Sequence, residues 1–217
     1  MRFNGKIILH AGRKLFQSKG RFPDEAELKM EGYDMSRVCV FFGTGYEEIE
    51  ALTVVDILRR QNIETLMVSV TGEKTVTGSH QISVQMDCLI EDVDFNTVDV
   101  IVLPGGMPGT KNLEACGMLM EQVDAFAAAG KTLCAICAAP SILGHRGLLK
   151  GKKAIAYPGF EEELTGADVT YEPAVRDENI ITGRGMGCAI DFGLLILEYL
   201  EDKPASDAMA EKIIYKR

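Results

Sequence analysis

The stretch Lys131-Thr-Leu-Cys-Ala-Ile-Cys-Ala-Ala-Pro-Ser-Ile-Leu143 contains the change of pattern from which the fold can be predicted. Residues 132–136 form a short apolar run, which is typical of a buried parallel strand. From Ala138 the pattern becomes helical, and Pro140 is tolerated in a first helical turn because its missing N–H needs no partner there. We therefore predict a strand, a turn at Cys137 and a helix.

A cysteine at such a turn has the features of a nucleophile. Unpaired N–H groups at the start of the helix, and the helix dipole, favour a thiolate at Cys137, so we expect a lowered thiol pKa. The backbone amide of Ala138 is also available to an oxyanion, as in a nucleophile elbow. The alternative is that Cys137 is simply a small buried residue of the core.

The composition is that of one compact domain with a substantial core. Of 217 residues, 47% are hydrophobic and 25% are charged. A formal net charge of −9 argues against nucleic acid or an anionic membrane as a direct electrostatic partner, and no apolar run is long enough to span a bilayer. Six irregularly spaced cysteines indicate reduced thiols and a cytoplasmic protein. The three histidines lack the spacing of a zinc site, so we predict neither a metal nor another cofactor.

The first 34 residues differ from the rest of the chain. They carry seven Lys or Arg and five Asp or Glu, a net charge of +2 against −11 for the remainder. We predict an N-terminal extension at 1–34 and a single domain at 35–217. The extension is either mobile, or a consequence of a natural start at Met35, or a helix that caps the domain.

From Met35 onward, strand patterns alternate with helix patterns. This alternation predicts an α/β fold, with a mostly parallel sheet covered on both faces and a site at the carboxyl ends of the strands. The predicted strands are 38–42, 65–70, 98–103, 132–136, 154–156 and 179–182, the helices are 47–60, 113–129 and 190–200, and a hairpin-like excursion covers 72–90. The segments expected along the carboxyl rim are 45–50, 105–106, 137, 157–158 and 183–185.

Glycines and glutamates at this rim are candidate site residues. The Gly105–Gly106 pair either makes only a tight turn or lets the amide of Gly106 approach the Cys137 site as a second oxyanion donor. No phosphate-binding glycine motif occurs. Glu47, Glu48 and Glu50 all precede apolar residues at helical spacings, and the spacing alone does not choose between them as the carboxyl partner of the thiol.

Three motifs together resemble the signatures of the ThiJ/PfpI family. They are Gly45-Tyr-Glu-Glu-Ile-Glu50, Val102-Leu-Pro-Gly-Gly106 and Ala135-Ile-Cys-Ala-Ala-Pro140, in the family's order, within a match from about Ser36 to the C-terminal region. Within the family they are most similar to the Parkinson-disease deglycase clade and its bacterial members. The resemblance implies a flavodoxin-like three-layer sandwich, related to the class I glutamine amidotransferases, and usually a homodimer.

The same resemblance implies roles for individual residues. Cys137 is the nucleophile, Glu50 is its carboxyl partner, and Gly106 and Ala138 supply the oxyanion amides. A buried Glu50 should have a raised pKa, because desolvation disfavours its charge, and should titrate with Cys137 as a coupled pair. Protonated, it favours the thiolate; ionised, it opposes it. The alternative is a solvated acidic helix start.

The histidines distinguish between the activities of the family. A class I glutaminase needs an imidazole base late in the chain, and none follows His145. His145 lies roughly 12 Å from Cys137 if the helix is regular, so we expect it at a helix surface or end. The PfpI peptidase branch has a histidine where this chain has Ala138. Tyr157 stands where many members of the clade have a histidine; it either binds substrate through its hydroxyl or packs at a strand end.

A thiol, one carboxyl and an oxyanion hole without imidazole suit an already electrophilic carbonyl. The resemblance implies a glutathione-independent glyoxalase or deglycase, of the lyase or hydrolase class, that acts on methylglyoxal or early glycation adducts as its small reactive carbonyl substrate. The alternatives are a non-enzymatic oxidative-stress sensor or chaperone that uses oxidation of Cys137 and, third, a cysteine peptidase. A dithiol motif with Cys134 is disfavoured because that residue lies within the predicted strand.

Overall fold

The computed structural model describes residues 36–216, so the expectations for residues 1–34 and for a start at Met35 lie outside the described part of the chain. Eleven strands occur within the described residues. They are β1 (Arg37–Phe42), β2 (Glu64–Ser69), β3 (Thr75–Thr77), β4 (Ser83–Gln85), β5 (Cys88–Leu89), β6 (Val100–Leu103), β7 (Thr132–Ile136), β8 (Lys153–Ala154), β9 (Asp168–Val169), β10 (Ala174–Asp177) and β11 (Ile180–Gly183).

Seven of these strands form the central sheet, in the order β10-β11-β7-β6-β1-β2-β5. Every neighbouring pair is parallel except β10 and β11, which are antiparallel at one edge. The predicted mostly parallel sheet is therefore confirmed. β7 lies inside the sheet between β11 and β6, so the segment that follows its carboxyl end is flanked on both sides by the ends of neighbouring strands.

Six α-helices connect and cover the strands in the described residues. They are α1 (Glu48–Arg60), α2 (Gly109–Ala115), α3 (Gly117–Ala129), α4 (Pro140–His145), α5 (Ala189–Leu200) and α6 (Lys203–Lys212). Two apolar clusters form the core, one on each face of the sheet. Alternate residues of β7 enter opposite clusters: Cys134 and Ile136 pack with α1 and α5, whereas Leu133 and Ala135 pack with α3 and α4. These layers are those of a three-layer sandwich.

The hairpin of β3 and β4 confirms the predicted excursion at 72–90 and contributes to the carboxyl rim. Its strands are antiparallel, and its loop returns to the start of α1. The N–H of Gly45 donates to the carbonyl of Thr77 at 2.8 Å, and the N–H of Ser79 donates to the carbonyl of Tyr46 at 2.8 Å. Residues 79–80 thereby lie beside the first turn of α1.

Several predicted elements were wrong in extent. The predicted helix at 113–129 is two helices, because Cys116 is extended (φ −78°, ψ 99°) and interrupts the helical backbone. The predicted strand at 154–156 is shorter, and it pairs with β9 in a separate sheet. The helix after Cys137 begins only at Pro140. Strands β9 and β10 and helix α6 were not predicted. No helix between residues 36 and 216 has the length and apolar character needed to cross a membrane.

Candidate active site

The turn at Cys137 is held in a left-handed backbone conformation. Its φ is +65°, which for a residue with a Cβ costs on the order of 1 kcal/mol or more. Two backbone hydrogen bonds support it: the N–H of Cys137 donates to the carbonyl of Gly183 at 2.9 Å, and the N–H of Tyr157 donates to the carbonyl of Cys137 at 2.8 Å. The half-buried side chain of Cys137 is thus presented at the carboxyl rim, as expected for a nucleophile elbow.

Glu50 lies in the first turn of α1 and is only 1% exposed. Its Oε2 accepts a hydrogen bond from the N–H of Gly105 at 3.0 Å. Its Oε1 is buried and has no hydrogen-bond partner of good geometry in the described part of the chain. Burial raises the pKa of Glu50 to about 7, although interactions with the Cys137 thiol and the Gly105 amide act in the opposite direction.

Gly105 lies between the Glu50 carboxyl and the side chain of Cys137. A Cβ placed on it would lie 2.6 Å from the Cβ of Cys137 and 2.7 Å from Oε2 of Glu50. Neither distance is compatible with a side chain, so the absence of one at position 105 lets the two groups come together. The structure therefore brings Cys137 to Glu50 rather than to the neighbouring Glu47 or Glu48.

The backbone amides of Gly106 and Ala138 both hydrogen-bond the sulfur of Cys137, and each lowers the pKa of the thiol. Gly106 has a φ of +90°, and a Cβ there would lie 2.3 Å from the backbone nitrogen of Glu47. The glycine therefore makes a tight turn and also places its amide at the sulfur. Two N–H donors that converge on one atom can stabilise negative charge that develops there or on an attached oxygen.

The expectation of a lowered thiol pKa at Cys137 was wrong. Burial, followed by the charge of Glu50 and its hydrogen bond, raises the pKa to about 12, and the two amides only partly offset this. Because α4 begins three residues after Cys137, the helix start does not outweigh burial. At neutral pH the pair therefore keeps a proton chiefly on the thiol, and the thiolate exists only in the minor form in which Glu50 has taken that proton.

Tyr157 lies at the same rim, where its side chain is 51% exposed. Its ring covers Gly185, since a Cβ on that glycine would lie 3.1 Å from Cδ2 of the ring. The backbone N–H of Tyr157 donates to the Cys137 turn, whereas its hydroxyl forms no hydrogen bond with the described residues. Binding of substrate by Tyr157 stays a prediction.

Neither histidine of the described residues forms a hydrogen bond with Cys137. His145 ends α4, as expected, and its two ring nitrogens lie 2.6 Å from Glu114 and 2.8 Å from Glu163. Cys134 is fully buried, and burial raises its pKa. All six cysteines lie within the described residues, and none is in a disulfide. A dithiol site with Cys134 has no support in this geometry.

One group of side chains beside the site was missed in the sequence. Oε2 of Glu48 lies 2.9 Å from Nδ1 of His80, and Oε2 of Glu47 lies 3.6 Å from the same nitrogen. One ligand atom from each of the three side chains lies within 4.8 Å of the others, a separation at which they could share a cation. His80 is 32 residues from Glu48 in the chain, so only the fold of the hairpin brings them together. No local spacing indicates this group.

Comparisons with known proteins identify the family of the chain. The model of the DJ-1/PfpI family matches residues 36–199. The chain is 36% identical over 175 residues to Protein DJ-1 homolog A of Arabidopsis thaliana, an alignment that covers 79% of this chain and 45% of that protein. It is 28% identical over 171 residues to a Caenorhabditis elegans protein named glutathione-independent glyoxalase DJR-1.2, covering 77% of this chain and 89% of that protein.

A solved structure with a similar fold is oxidized Toxoplasma gondii DJ-1. It is 34% identical, with a TM-score of 0.81, and the match covers 84% of this chain and 100% of that structure. This likeness confirms the predicted flavodoxin-like, class I glutamine amidotransferase-like sandwich. The chain spans less than half the length of two Arabidopsis thaliana relatives, 45% of homolog A and 39% of homolog B.

Proposed function

This chain belongs to the DJ-1/PfpI family, and we propose that it is a cysteine-dependent enzyme that converts reactive carbonyl compounds without glutathione. The observation that carries the proposal is the shared environment of Cys137 and Glu50. A buried acid with a pKa near 7 adjoins a thiol whose sulfur already accepts two backbone N–H groups. The glyoxalase name of a relative supports the same reaction class. Membership of the bacterial deglycase clade and a cytoplasmic location are finer parts of this proposal.

The proposed reaction begins from the form of the pair in which Glu50 holds the proton. The Cys137 sulfur adds to the aldehyde carbon of an α-oxoaldehyde, and Glu50 gives its proton to the developing alkoxide, whose charge the amides of Gly106 and Ala138 stabilise. The product of this step is a hemithioacetal. Attack at an aldehyde needs no imidazole base, which fits a site where His80 and His145 are bound elsewhere.

The remaining steps rearrange the adduct without an external oxidant. Glu50 takes the proton from the former aldehyde carbon and returns it to the neighbouring carbon, while the hydroxyl proton on the first carbon passes to the oxygen of the second. The first carbon is thereby oxidised and the second is reduced. The resulting thioester is hydrolysed by water, which releases a hydroxy acid and restores the Cys137 thiol. In an early glycation adduct the aldehyde carbon already carries the amine and a hydroxyl. There the Cys137 sulfur displaces the amine, which leaves with the proton of Glu50, and the same hemithioacetal forms; this is the deglycase form of the proposal.

The test is turnover of methylglyoxal to lactate by the wild-type chain and three variants. Cys137→Ser should lower kcat/KM roughly a thousandfold or more, because the nucleophile is lost. Glu50→Gln should lower it as well and move its pH profile to alkaline values, since no carboxylate then accepts the thiol proton. Cys188→Ser, at a half-buried free cysteine, is the matched control and should retain activity. Full turnover by Cys137→Ser would refute the proposal.

The same contacts favour a second candidate function, an oxidation sensor. Two N–H donors at the sulfur and the unpartnered Oε1 of Glu50 could bind the oxygens of a sulfinic acid formed when two molecules of peroxide oxidise the thiol. Mass spectrometry after mild peroxide treatment should then find two added oxygens on Cys137 and none on the buried Cys134. Equal oxidation of all six cysteines would contradict it. A peptidase has no such observation in its favour.

A further inference from the structure

Three exposed apolar side chains lie on the loops around Cys137. Of the eight large hydrophobic side chains that are exposed between residues 36 and 216, Met107 and Met186 are 45% and 49% exposed, and Tyr157 is the third at this rim. A single exposed apolar residue is ordinary on a protein surface. Three on loops next to one reactive thiol can together offer it an apolar surface, as ligand-binding sites do.

Met107 and Met186 lie on the loops that follow the two strands on either side of β7. Met107 follows Gly106, whose amide hydrogen-bonds the sulfur of Cys137. Met186 follows β11, and the carbonyl of Gly183 at the end of that strand accepts the N–H of Cys137. Because β11, β7 and β6 are adjacent in the sheet and neighbouring strands lie about 4.8 Å apart, the ends of the strands that lead into these two loops are roughly 10 Å apart, with the Cys137 turn between them.

Tyr157 connects this surface to the nucleophile turn. Its backbone N–H donates to the carbonyl of Cys137, and its ring rests on Gly185, the residue before Met186. One edge of the ring therefore lies against the backbone of Gly185, while half of the side chain is open to solvent. An aromatic ring in this position can pack against a flat apolar group, and methionine side chains adapt to its shape.

The charges around the rim are two carboxyl groups near the thiol and Arg184 on the loop of Met186, whose charge acts to lower the pKa of Cys188. Glu50 is adjacent to the sulfur, and the charge of Glu47 is close enough to raise the pKa of Glu50. The whole chain carries a formal net charge of −9. A carbonyl compound with a carboxylate or phosphate group would approach this site against repulsion, whereas a neutral one would not.

We infer that the site prefers neutral α-oxoaldehydes with an apolar or aryl substituent over glyoxal and methylglyoxal, an inference that rests on the proposed function. The aldehyde carbon lies at the Cys137 sulfur, and the substituent lies among the side chains of Met107, Tyr157 and Met186. The preference is expressed in KM, because these side chains contact the part of the substrate that does not react.

The first experiment compares phenylglyoxal, methylglyoxal and glyoxal as substrates. The ratio of kcat/KM for phenylglyoxal to that for glyoxal should fall about fivefold in Met186→Ser and in Met107→Ser, mainly through KM. Met118→Ser replaces a methionine of similar exposure, 43%, on α3 and should leave the ratio unchanged. A ratio that is unaffected at both rim positions, or that falls equally in Met118→Ser, would overturn the inference.

The second experiment does not depend on turnover. Alkylation of Cys137 is followed by mass spectrometry with two neutral reagents, phenacyl bromide and iodoacetamide, each corrected for its rate with free cysteine. The phenacyl preference should be present in the wild type and fall about fivefold in Met186→Ser. If the phenacyl preference falls in Met186→Ser while the wild type turns over no glyoxal, the proposed function is refuted and the apolar surface is supported. If glyoxals are turned over but neither assay shows a preference, the apolar surface fails and the proposed function stands.

Discussion

The carboxyl of Glu50 holds its proton more tightly in the folded protein than in the unfolded chain, because burial raises its pKa from an ordinary 4.5 to about 7. The stability that this group contributes is fully present below pH 4.5 and is lost as the pH rises through 7. A shift of this size corresponds to about 3 kcal/mol. Glu50→Gln removes the ionisation, so the variant should gain about 3 kcal/mol relative to the wild type between pH 4.5 and pH 8.

Urea unfolding of both proteins at several values between these limits measures the difference. Glu162→Gln is the matched control, since Glu162 is exposed and its replacement should leave the pH dependence of the wild type in place. The raised pKa of Cys137 affects stability only above about pH 9, outside this window. Parallel stability curves for the wild type and Glu50→Gln would show that the carboxyl is not buried as described.

At the scale of elements, the turn after β6 must approach both β7 and α1. Gly105→Ala would place a Cβ 2.6 Å from the Cβ of Cys137 and 2.7 Å from Oε2 of Glu50. We expect a loss of stability of about 1–3 kcal/mol from overpacking and a fall in kcat/KM on the order of a hundredfold, because the thiol and the acid are forced apart.

The control for this substitution is Gly117→Ala, in the first turn of α3. A Cβ there meets no atom within 4 Å, so the variant should keep its activity and should be no less stable than the wild type. Thermal unfolding and methylglyoxal turnover of both variants provide the measurements. Equal behaviour of the two would contradict the close approach described for Gly105.

The elements that sequence patterns could predict are those whose signal is local. The apolar run of β7, the helically spaced apolar residues of α1 and the glycine pair after β6 can each be recognised within a few consecutive residues. The interruption at Cys116 was not predictable, because no proline marks it and the apolar pattern continues through it. β9 and β10 are short and partly polar, and their pairing depends on residues distant in the chain.

The site was predictable in its membership but not in its electrostatics. Motifs place a thiol, a carboxyl and two amides at the carboxyl rim, although choosing Glu50 over Glu47 required the family resemblance. The pKa of Cys137 depends on how deeply the thiol is buried and on how close Glu50 lies. Both are set by the tertiary fold and cannot be read from the spacing of residues in the sequence. The position of His80 beside Glu48 depends likewise on how the hairpin folds back onto α1.

For the whole molecule, an apolar groove of about 580 Å³ lies along α1, apart from the Cys137 turn. It includes the exposed Ile49 and Ile82, and the oppositely charged Asp56 and Arg60 at its edge form a salt bridge at 2.6 Å. A patch with an apolar centre and both signs of charge can complement a second copy of itself about a two-fold axis. The homodimer implied by the family resemblance is therefore proposed to form through this groove.

The prediction is that the wild type has twice the mass of one chain in solution and that Ile82→Glu is monomeric at micromolar concentration. A glutamate at position 82 would lose water in the dimer, and Arg60, the cation at the edge of the groove, is already paired with Asp56. Burial of the added charge therefore costs several kcal/mol, which exceeds what a modest interface can supply. Light scattering coupled to gel filtration measures the mass, and circular dichroism checks that the variant is folded. Met118→Glu, which adds the same charge to an exposed apolar position outside the groove, should remain dimeric. A wild type that is monomeric, or an Ile82→Glu variant as dimeric as Met118→Glu, would exclude this groove as the dimer interface.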